Sequence, residues 1–399
     1  MPTRRAALLL ALGLTGPAAA APRRRRPAPP VSPPPARVPL PATTPLGPLA
    51  TNARWAFVED VNTGAVLLHK RAEARMAPSS MTKLMTLYIL FSRLKAGQLK
   101  LSSMLPVSRT AWRFGGSKMF VEVGTTVSVR DLIRGVIVDS GNDACVVLAQ
   151  AIAGSQAGFA ALMNAEAAKL GLTNSHFTNP MGWPDPDHYM SAHDIARVSV
   201  ALIRDFPQYY HFFSDRKFTY SNITQMNRNV LVDNHLADGL KTGHTEAGGF
   251  GIVVSAVRGG RRVLVVLNGM PSGRDRTFQA ERLLDWAFDN FTDVTLFRAG
   301  APVTTAPVWL GAARRVPLVA TTDVTLTLPH GWRERARIAV TYPSPLAAPI
   351  GLGEPSGQLR ISDTGMPDVS VPLVAGAAVP RLDLPGRAMA VLLHALAVR

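Results

Sequence analysis

Between Trp55 and Phe291 the hydrophobic pattern changes period twice, and that order of periods admits few folds. Trp55 to Lys70 reads as two strands around an Asn62-Thr63-Gly64 turn. From Met81 onward, Leu84, Met85, Tyr88, Ile89 and Leu94 recur at helical spacing, and further helices are predicted over 129–138, 142–154, 156–170 and 191–204. Gly249–Val257 and Arg262–Leu267 are apolar runs around Arg258-Gly259-Gly260-Arg261, the pattern of a hairpin between buried strands. A last helix over 275–291 carries Phe278, Leu283, Leu284, Trp286 and Phe288. Strands, then helices, then strands predict one mixed α/β (α+β) domain over 51–292, its first and last strands sharing a sheet. After about residue 295 only short runs remain, among them Val303–Val308, Val324–Leu328, Ile338–Tyr342, Gln358–Ser362 and Val369–Val374. Glycine and proline turns separate them, which predicts a small all-β sandwich over 297–385.

Nothing before residue 51 has this patterning. Arg4 and Arg5, the apolar run Ala6–Leu14 and the small residues Ala18–Ala21 read as an export signal over 1–21, too short to span a bilayer. Thr3-Arg4-Arg5 loosely resembles a twin-arginine signal, although ordinary Sec export fits better. Residues 22–50 hold eleven prolines and the run Arg23–Arg26, and are expected to form an extended basic linker. Of the formal charge of +16, the signal and linker carry +2 and +5, which leaves +9 for the body. In an exported chain such an excess points to anionic lipid or wall polymers, and no nucleic-acid partner is expected. The single cysteine, Cys145, excludes a disulfide framework and a Cys-rich zinc site. Its apolar helical surroundings predict a buried, inert thiol.

Three short motifs carry the chemistry. In Ser80-Met81-Thr82-Lys83, a serine and a lysine three apart share one helix face at a helix N-terminus, where backbone N–H groups favour negative charge. A serine hydroxyl needs a base, and a lysine serves only if burial or a second cation depresses its pKa. Ser140-Gly141-Asn142 falls in a tight break between two predicted helices, where the serine can relay a proton and the asparagine can bind a lysine or a substrate amide. Lys241-Thr242-Gly243-His244 leads into the next strand; glycine there lets a substrate backbone approach, and Lys and Thr offer donors to a carboxylate. Taken alone, each motif is better read as a capped helix with an exposed lysine, a link with Asn142 as N-cap, and a turn into an edge strand. In order, spaced by about 60 and about 100 residues, they form a constellation that closely resembles that of penicillin-recognising serine enzymes.

The wider segments Pro78–Thr86, Asp139–Ala144 and Asp238–Thr245 resemble the low-molecular-mass penicillin-binding D-alanyl-D-alanine carboxypeptidases, as do Lys169–Phe177, Ser191–Ala196 and Asn227-Arg228-Asn229. The resemblance covers about 51–292, and the β-rich tail resembles that family's C-terminal domain with less specific motifs. It implies a β-lactamase/transpeptidase-like domain with a helical cluster and a mixed, largely antiparallel sheet. It also implies that Ser80 is the acyl-forming nucleophile, Lys83 its proton acceptor and Ser140 a proton relay. Asn142 would position the substrate amide, Lys241 support the site electrostatically, and Thr242 and Arg228 hold the terminal carboxylate. Backbone N–H groups of Ser80 and of His244, just after Gly243, would form the oxyanion hole, with Ser117 lining the pocket. The implied partners are a peptidoglycan pentapeptide and β-lactams as covalent inhibitors, with no metal or organic cofactor, and the implied compartment is the periplasm.

Four other readings compete with this one. A serine β-lactamase shares the motifs, but Glu166, the one glutamate in 160–180, is predicted mid-helix and out of context. Crosslink endopeptidase or transpeptidase activity would use the same acyl-enzyme. A non-catalytic wall-binding protein is disfavoured by intact Ser80, Lys83, Ser140 and Lys241. A zinc peptidase is disfavoured because His188 and His193 lack the H-E-x-x-H pattern. For the apolar segment 386–399, two outcomes stay open: peripheral attachment to an anionic inner-membrane surface, or packing on the sandwich.

Overall fold

The computed structural model describes residues 40–363 and 365–397, so the export signal and residues 22–39 of the linker lie outside the described residues. Strands β1 (Trp55–Asp60) and β2 (Val66–Lys70) form the first hairpin. Asp60 Oδ1 accepts from the backbone N–H groups of Asn62 and Thr63, at 2.9 and 3.2 Å, and Gly64 supplies the positive φ that turns the chain back. The preceding stretch, expected as linker, is partly tied into the fold. Ala42 bridges Leu49, Thr43 bridges His69, and Thr44 Oγ1 donates to Gly47 O at 2.6 Å, so buried Ala42 ends the linker before residue 42.

Helices α1 (Lys83–Lys95), α2 (Val129–Ile137), α3 (Asn142–Ala153), α4 (Gln156–Lys169) and α5 (Ala192–Asp205) match the predicted helical segments. Serines cap α2, α4 and α5: Ser128, Ser155 and Ser191 each accept a backbone N–H three residues on. α1 is apolar around nearly its whole circumference, with Leu84, Leu87, Leu90 and Phe91 all buried, and it runs through the middle of the helical cluster.

Strands β3 (Gly239–Thr245), β4 (Gly249–Arg258) and β5 (Arg261–Met270) complete a five-stranded sheet in the order β2-β1-β5-β4-β3. Every pairing in it is antiparallel, and β1 lies beside β5 as the sequence predicts. The Lys241-Thr242-Gly243 segment is thus not a lead into a strand: it is edge strand β3 itself, paired from Gly239↔Ser255 to Thr245↔Gly249. One face of the sheet packs on the helical cluster. The other is covered by α6 (Gly273–Asn290), through Leu283, Leu284 and Ala287.

The β-rich part starts at Phe291 rather than at residue 297. Strand β6 (Phe291–Phe297) follows α6 directly and pairs with β9 (Val324–Pro329). A six-stranded sheet is built from β7 (Pro302–Trp309), β8 (Arg315–Val319), β10 (Arg337–Thr341), β11 (Leu346–Ala347), β12 (Pro355–Ser362) and β13 (Val369–Ala375). Its order is β10-β12-β13-β8-β7-β11, around a core that includes Leu318, Leu359 and Leu373. The final helix α7 (Leu384–Ala397) leaves Leu384, Met389, Val391, Leu392 and Leu393 at least half exposed. Among the described residues no single helix is long and apolar enough to cross a membrane.

Candidate active site

Ser80 sits in a 3-10 turn, Ser79–Thr82, that leads into α1, and Lys83 is the first residue of the helix. That turn brings the Lys83 ammonium back onto the serine: Nζ donates to Ser80 Oγ at 2.9 Å, to Asn142 Oδ1 at 2.8 Å and to Met181 O at 3.0 Å. Lys83 is fully buried, and the loss of solvent pulls its pKa down to about 8. Ser80 stays half-buried and reachable.

Asn142 opens α3, whose N-cap is Gly141, so the asparagine is not the cap that local sequence allows. Its side chain is free to bridge instead, accepting from Lys83 while Nδ2 donates to Gly115 O at 2.9 Å. Ser140 occupies the break before it with φ 59, a left-handed conformation unusual for a residue with a Cβ. Its Oγ is buried and has no hydrogen-bond partner among the described residues, so it hydrogen-bonds to neither lysine.

Asp143, unassigned by sequence reasoning, orders the facing loop. Its carboxylate accepts from the backbone N–H groups of Met119, Phe120 and Val121 at 3.0, 2.9 and 3.2 Å. The same loop carries Ser117, whose carbonyl accepts from Asn142 N at 2.7 Å and whose Oγ accepts from Arg228 Nη1 at 2.7 Å. Arg276 on α6, also unassigned, donates to the Arg228 carbonyl at 3.3 Å.

Strand β3 forms the opposite wall. A Cβ at Gly243 would lie 3.1 Å from Ser79 Cβ and 3.3 Å from Ser80 N, so glycine lets the strand approach the nucleophile turn. Lys241 and Thr242 are buried. Lys241 Nζ donates to Thr242 O at 3.2 Å, and burial, reinforced by Lys83 and Arg228, holds its pKa well below the ordinary lysine range. The His244 ring stacks on Phe250 with centroids 3.9 Å apart.

The resulting cavity of about 570 Å³ is lined by Ser80, Ser117, Asn142, His244 and Trp183, among others. Ser140, Arg228, Lys241 and Thr242 are not on its wall. Trp183 was also missed. It stands 45% exposed at the mouth, edge-on to Phe114 at 5.3 Å, and only tertiary structure brings its loop to Ser80.

The residues set aside in the sequence have other partners. Cys145 is buried and free, its pKa pushed up to about 11 by burial, and Glu166 pairs with Lys169 on α4. His188 Nε2 bonds Thr82 Oγ1 at 2.9 Å, whereas His193 pairs with Glu73.

Known proteins share both the architecture and the site-bearing segment. A family profile described as D-alanyl-D-alanine carboxypeptidase matches residues 42–271, and one described as penicillin-binding protein 5, C-terminal domain, matches 291–381. The D-alanyl-D-alanine carboxypeptidase DacC of Escherichia coli is 37% identical over 334 residues, 82% of this chain and 84% of the relative. DacD of Salmonella typhimurium is 37% identical over 342 residues, 83% of this chain and 87% of the relative. Among solved structures, penicillin binding protein 5 from Haemophilus influenzae superposes with a TM-score of 0.74 at 35% identity, covering 84% of this chain and 99% of that one. Penicillin binding protein 6B from Escherichia coli gives 0.69 at 34% identity, covering 82% and 96%. With the matched profile spanning more than half of the chain, and with relatives this similar over nearly their whole length, the chain belongs to the D-alanyl-D-alanine carboxypeptidase family of serine peptidases.

Proposed function

We propose that the chain removes the terminal D-alanine from peptidoglycan pentapeptides through an acyl-enzyme on Ser80. The observation that carries this reading is the fully buried Lys83 amine, 2.9 Å from Ser80 Oγ and drawn down to about 8. Ser80 Oγ attacks the carbonyl of the D-Ala–D-Ala bond, and its proton passes to neutral Lys83 Nζ. The C–N bond then breaks, the departing amine takes up a proton, and free D-alanine leaves. Water attacks the remaining ester and returns the hydroxyl proton to Ser80.

Asn142 is suited to bind the substrate amide, because its Oδ1 and Nδ2 are already fixed by Lys83 and Gly115. Arg228, held by Ser117, and Thr242 are assigned to the terminal carboxylate, and Lys241 to electrostatic support. Ser140 is assigned the proton relay, which requires its hydroxyl to engage Lys83 or Lys241 once substrate enters. The backbone N–H groups of Ser80 and His244 are assigned to the oxyanion, where one donor is commonly worth about 3 kcal/mol. β-Lactams would acylate the same serine.

The test is mass spectrometry of a muropeptide ending in D-Ala–D-Ala, incubated with the protein and with Ser80→Ala. Loss of one alanine that depends on Ser80 is the expected result. An unchanged pentapeptide, with penicillin still labelling Ser80, would shift the reading to crosslink cleavage.

Export to the periplasm and attachment to the membrane surface belong to the same proposal. The exposed leucines of α7, beside Arg381 and Arg387, suit an interfacial helix. Loss of vesicle binding on truncation after residue 383 would support that placement, and unchanged binding would count against it.

A further inference from the structure

Beside the active site, one turn of helix, Arg109–Arg113, presents three side chains that nothing in the fold engages. Arg109, Trp112 and Arg113 stand at i, i+3 and i+4, which puts them on one face. All three are exposed, Trp112 by 42%. Among the described residues their side chains make no hydrogen bond, ion pair or ring contact. The face therefore offers a flat apolar ring, a free indole N–H and two planar forks of N–H donors.

The other side of this turn is anchored. Ala111 is fully buried, Ser108 Oγ accepts from Ala111 N at 3.1 Å and donates to Gln150 Oε1 on α3 at 2.7 Å, and Lys118 Nζ donates to the Trp112 carbonyl. A backbone held this way loses little freedom on binding. The chain leaving the turn runs straight into the site. Phe114 meets Trp183 edge-on at the mouth of the Ser80 cavity, and the Gly115 carbonyl holds Asn142 at 2.9 Å. Trp112 lies two residues before Phe114, so their Cα atoms are within about 7 Å of each other. Arg109, Trp112 and Arg113 are themselves outside the wall of the Ser80 cavity.

The carboxypeptidase reading above supplies a ligand of matching chemistry, and the inference rests on that reading. A wall pentapeptide projects from a chain of N-acetylated amino sugars, and the four residues on the acyl side of the scissile bond reach at most about 14 Å. The sugars therefore lie outside the Ser80 cavity but near its rim. We propose that the face formed by Arg109, Trp112 and Arg113 is a docking site for this sugar chain. The C–H face of a pyranose packs on the indole ring, while the two guanidiniums and the indole N–H donate to hydroxyl and acetamido oxygens. Holding the strand there raises the local concentration of its pentapeptides at Ser80.

The experiment compares D-alanine release from a free N-acetylated pentapeptide and from uncrosslinked glycan strands carrying the same pentapeptide. The ratio of kcat/KM, strand over peptide, is read within one preparation, so partial misfolding of a variant cancels. The wild type is expected to favour the strand about tenfold, the scale of one aromatic anchor. Trp112→Ala should bring the ratio to about one through KM, with kcat/KM on the free peptide unchanged. The double change Arg109→Gln, Arg113→Gln should lower the ratio severalfold. Glycan strands stripped of peptide should inhibit strand turnover by the wild type but not by Trp112→Ala. A wild-type ratio near one, or a ratio unmoved by Trp112→Ala, overturns the docking site and leaves the carboxypeptidase reading standing. A ratio that falls with the arginine changes alone and vanishes in salt also overturns it, in favour of attraction to any polyanion. Release from neither substrate, with penicillin labelling retained, overturns that reading and the docking site with it.

Discussion

Burying Lys83 removes the water that would otherwise hold a proton on its amine, and Arg228 adds to the pressure. An amine that must be neutral to accept the Ser80 proton fixes the sign of the pH dependence. Below about pH 8 the ammonium form dominates, so acylation should rise roughly tenfold per unit toward that pH and level off above it. Stopped-flow acylation by a chromogenic β-lactam from pH 6 to 10 checks this, and Lys83→Gln should lower the rate a hundredfold to ten-thousandfold above pH 8, in the range of lost general-base catalysis, and by less at pH 6. Glu59 makes a contrasting case away from the site. Burial raises its pKa to about 7, partly opposed by Arg204, and its Oε1 has no hydrogen-bond partner among the described residues. Its folded-state pKa lies above the unfolded value, so the stability it confers is complete below about pH 4.5 and is lost as pH rises through about 7. Glu59→Gln should flatten urea stability across that window, with a gain at pH 8 of up to about 3 kcal/mol.

At the scale of elements, the site depends on three short backbone segments meeting, and glycine or carboxylate chemistry decides each meeting. A Cβ at Gly182 would lie 1.8 Å from the Ser79 carbonyl oxygen, and φ there is +82. Gly182→Ala should therefore move the nucleophile turn and cut penicillin acylation by more than tenfold, seen by quantitative labelling. Removing the Asp143 carboxylate leaves three loop N–H groups without their acceptor, so Asp143→Ala should destabilise the fold by about 3 kcal/mol in urea titrations. These elements were legible in the sequence to different degrees. Helices with a Ser cap and a continuous apolar face, such as α2 and α5, could be placed within a residue or two. Strand β3 could not: Gly-Leu-Lys-Thr-Gly-His-Thr has no apolar alternation, because this edge strand buries a lysine and a threonine at the site rather than leucines in a core. Trp183 and Asp143 went unassigned because their roles depend on loops that meet only in three dimensions. Ser80, Lys83 and Asn142 were found because their motifs are local, and the structure joins them through one buried amine.

For the molecule as a whole, the catalytic sheet and the β-rich part meet at Arg261. Its side chain, 9% exposed, bonds Asp60 at 2.6 Å, the Ala287 carbonyl at 3.0 Å and the Phe291 carbonyl at 2.7 Å. Thr63 and Thr327 touch at 2.6 Å beside it, and Thr327 donates to Asp293. One guanidinium thus links β5, β1, α6 and the start of β6, a role with no local signature because its partners span more than 200 residues. Arg261→Met would leave Asp60 buried without its cation, and should lower stability by about 3–5 kcal/mol in calorimetry or urea unfolding. Peptide mapping after acid quench with benzylpenicillin tests directly whether this scaffold presents Ser80 to its buried lysine as an acylating nucleophile. A single covalent adduct is expected, on the peptide containing Ser80, and none in Lys83→Gln on the same timescale. An adduct on another residue, or undiminished labelling without Lys83, would contradict it.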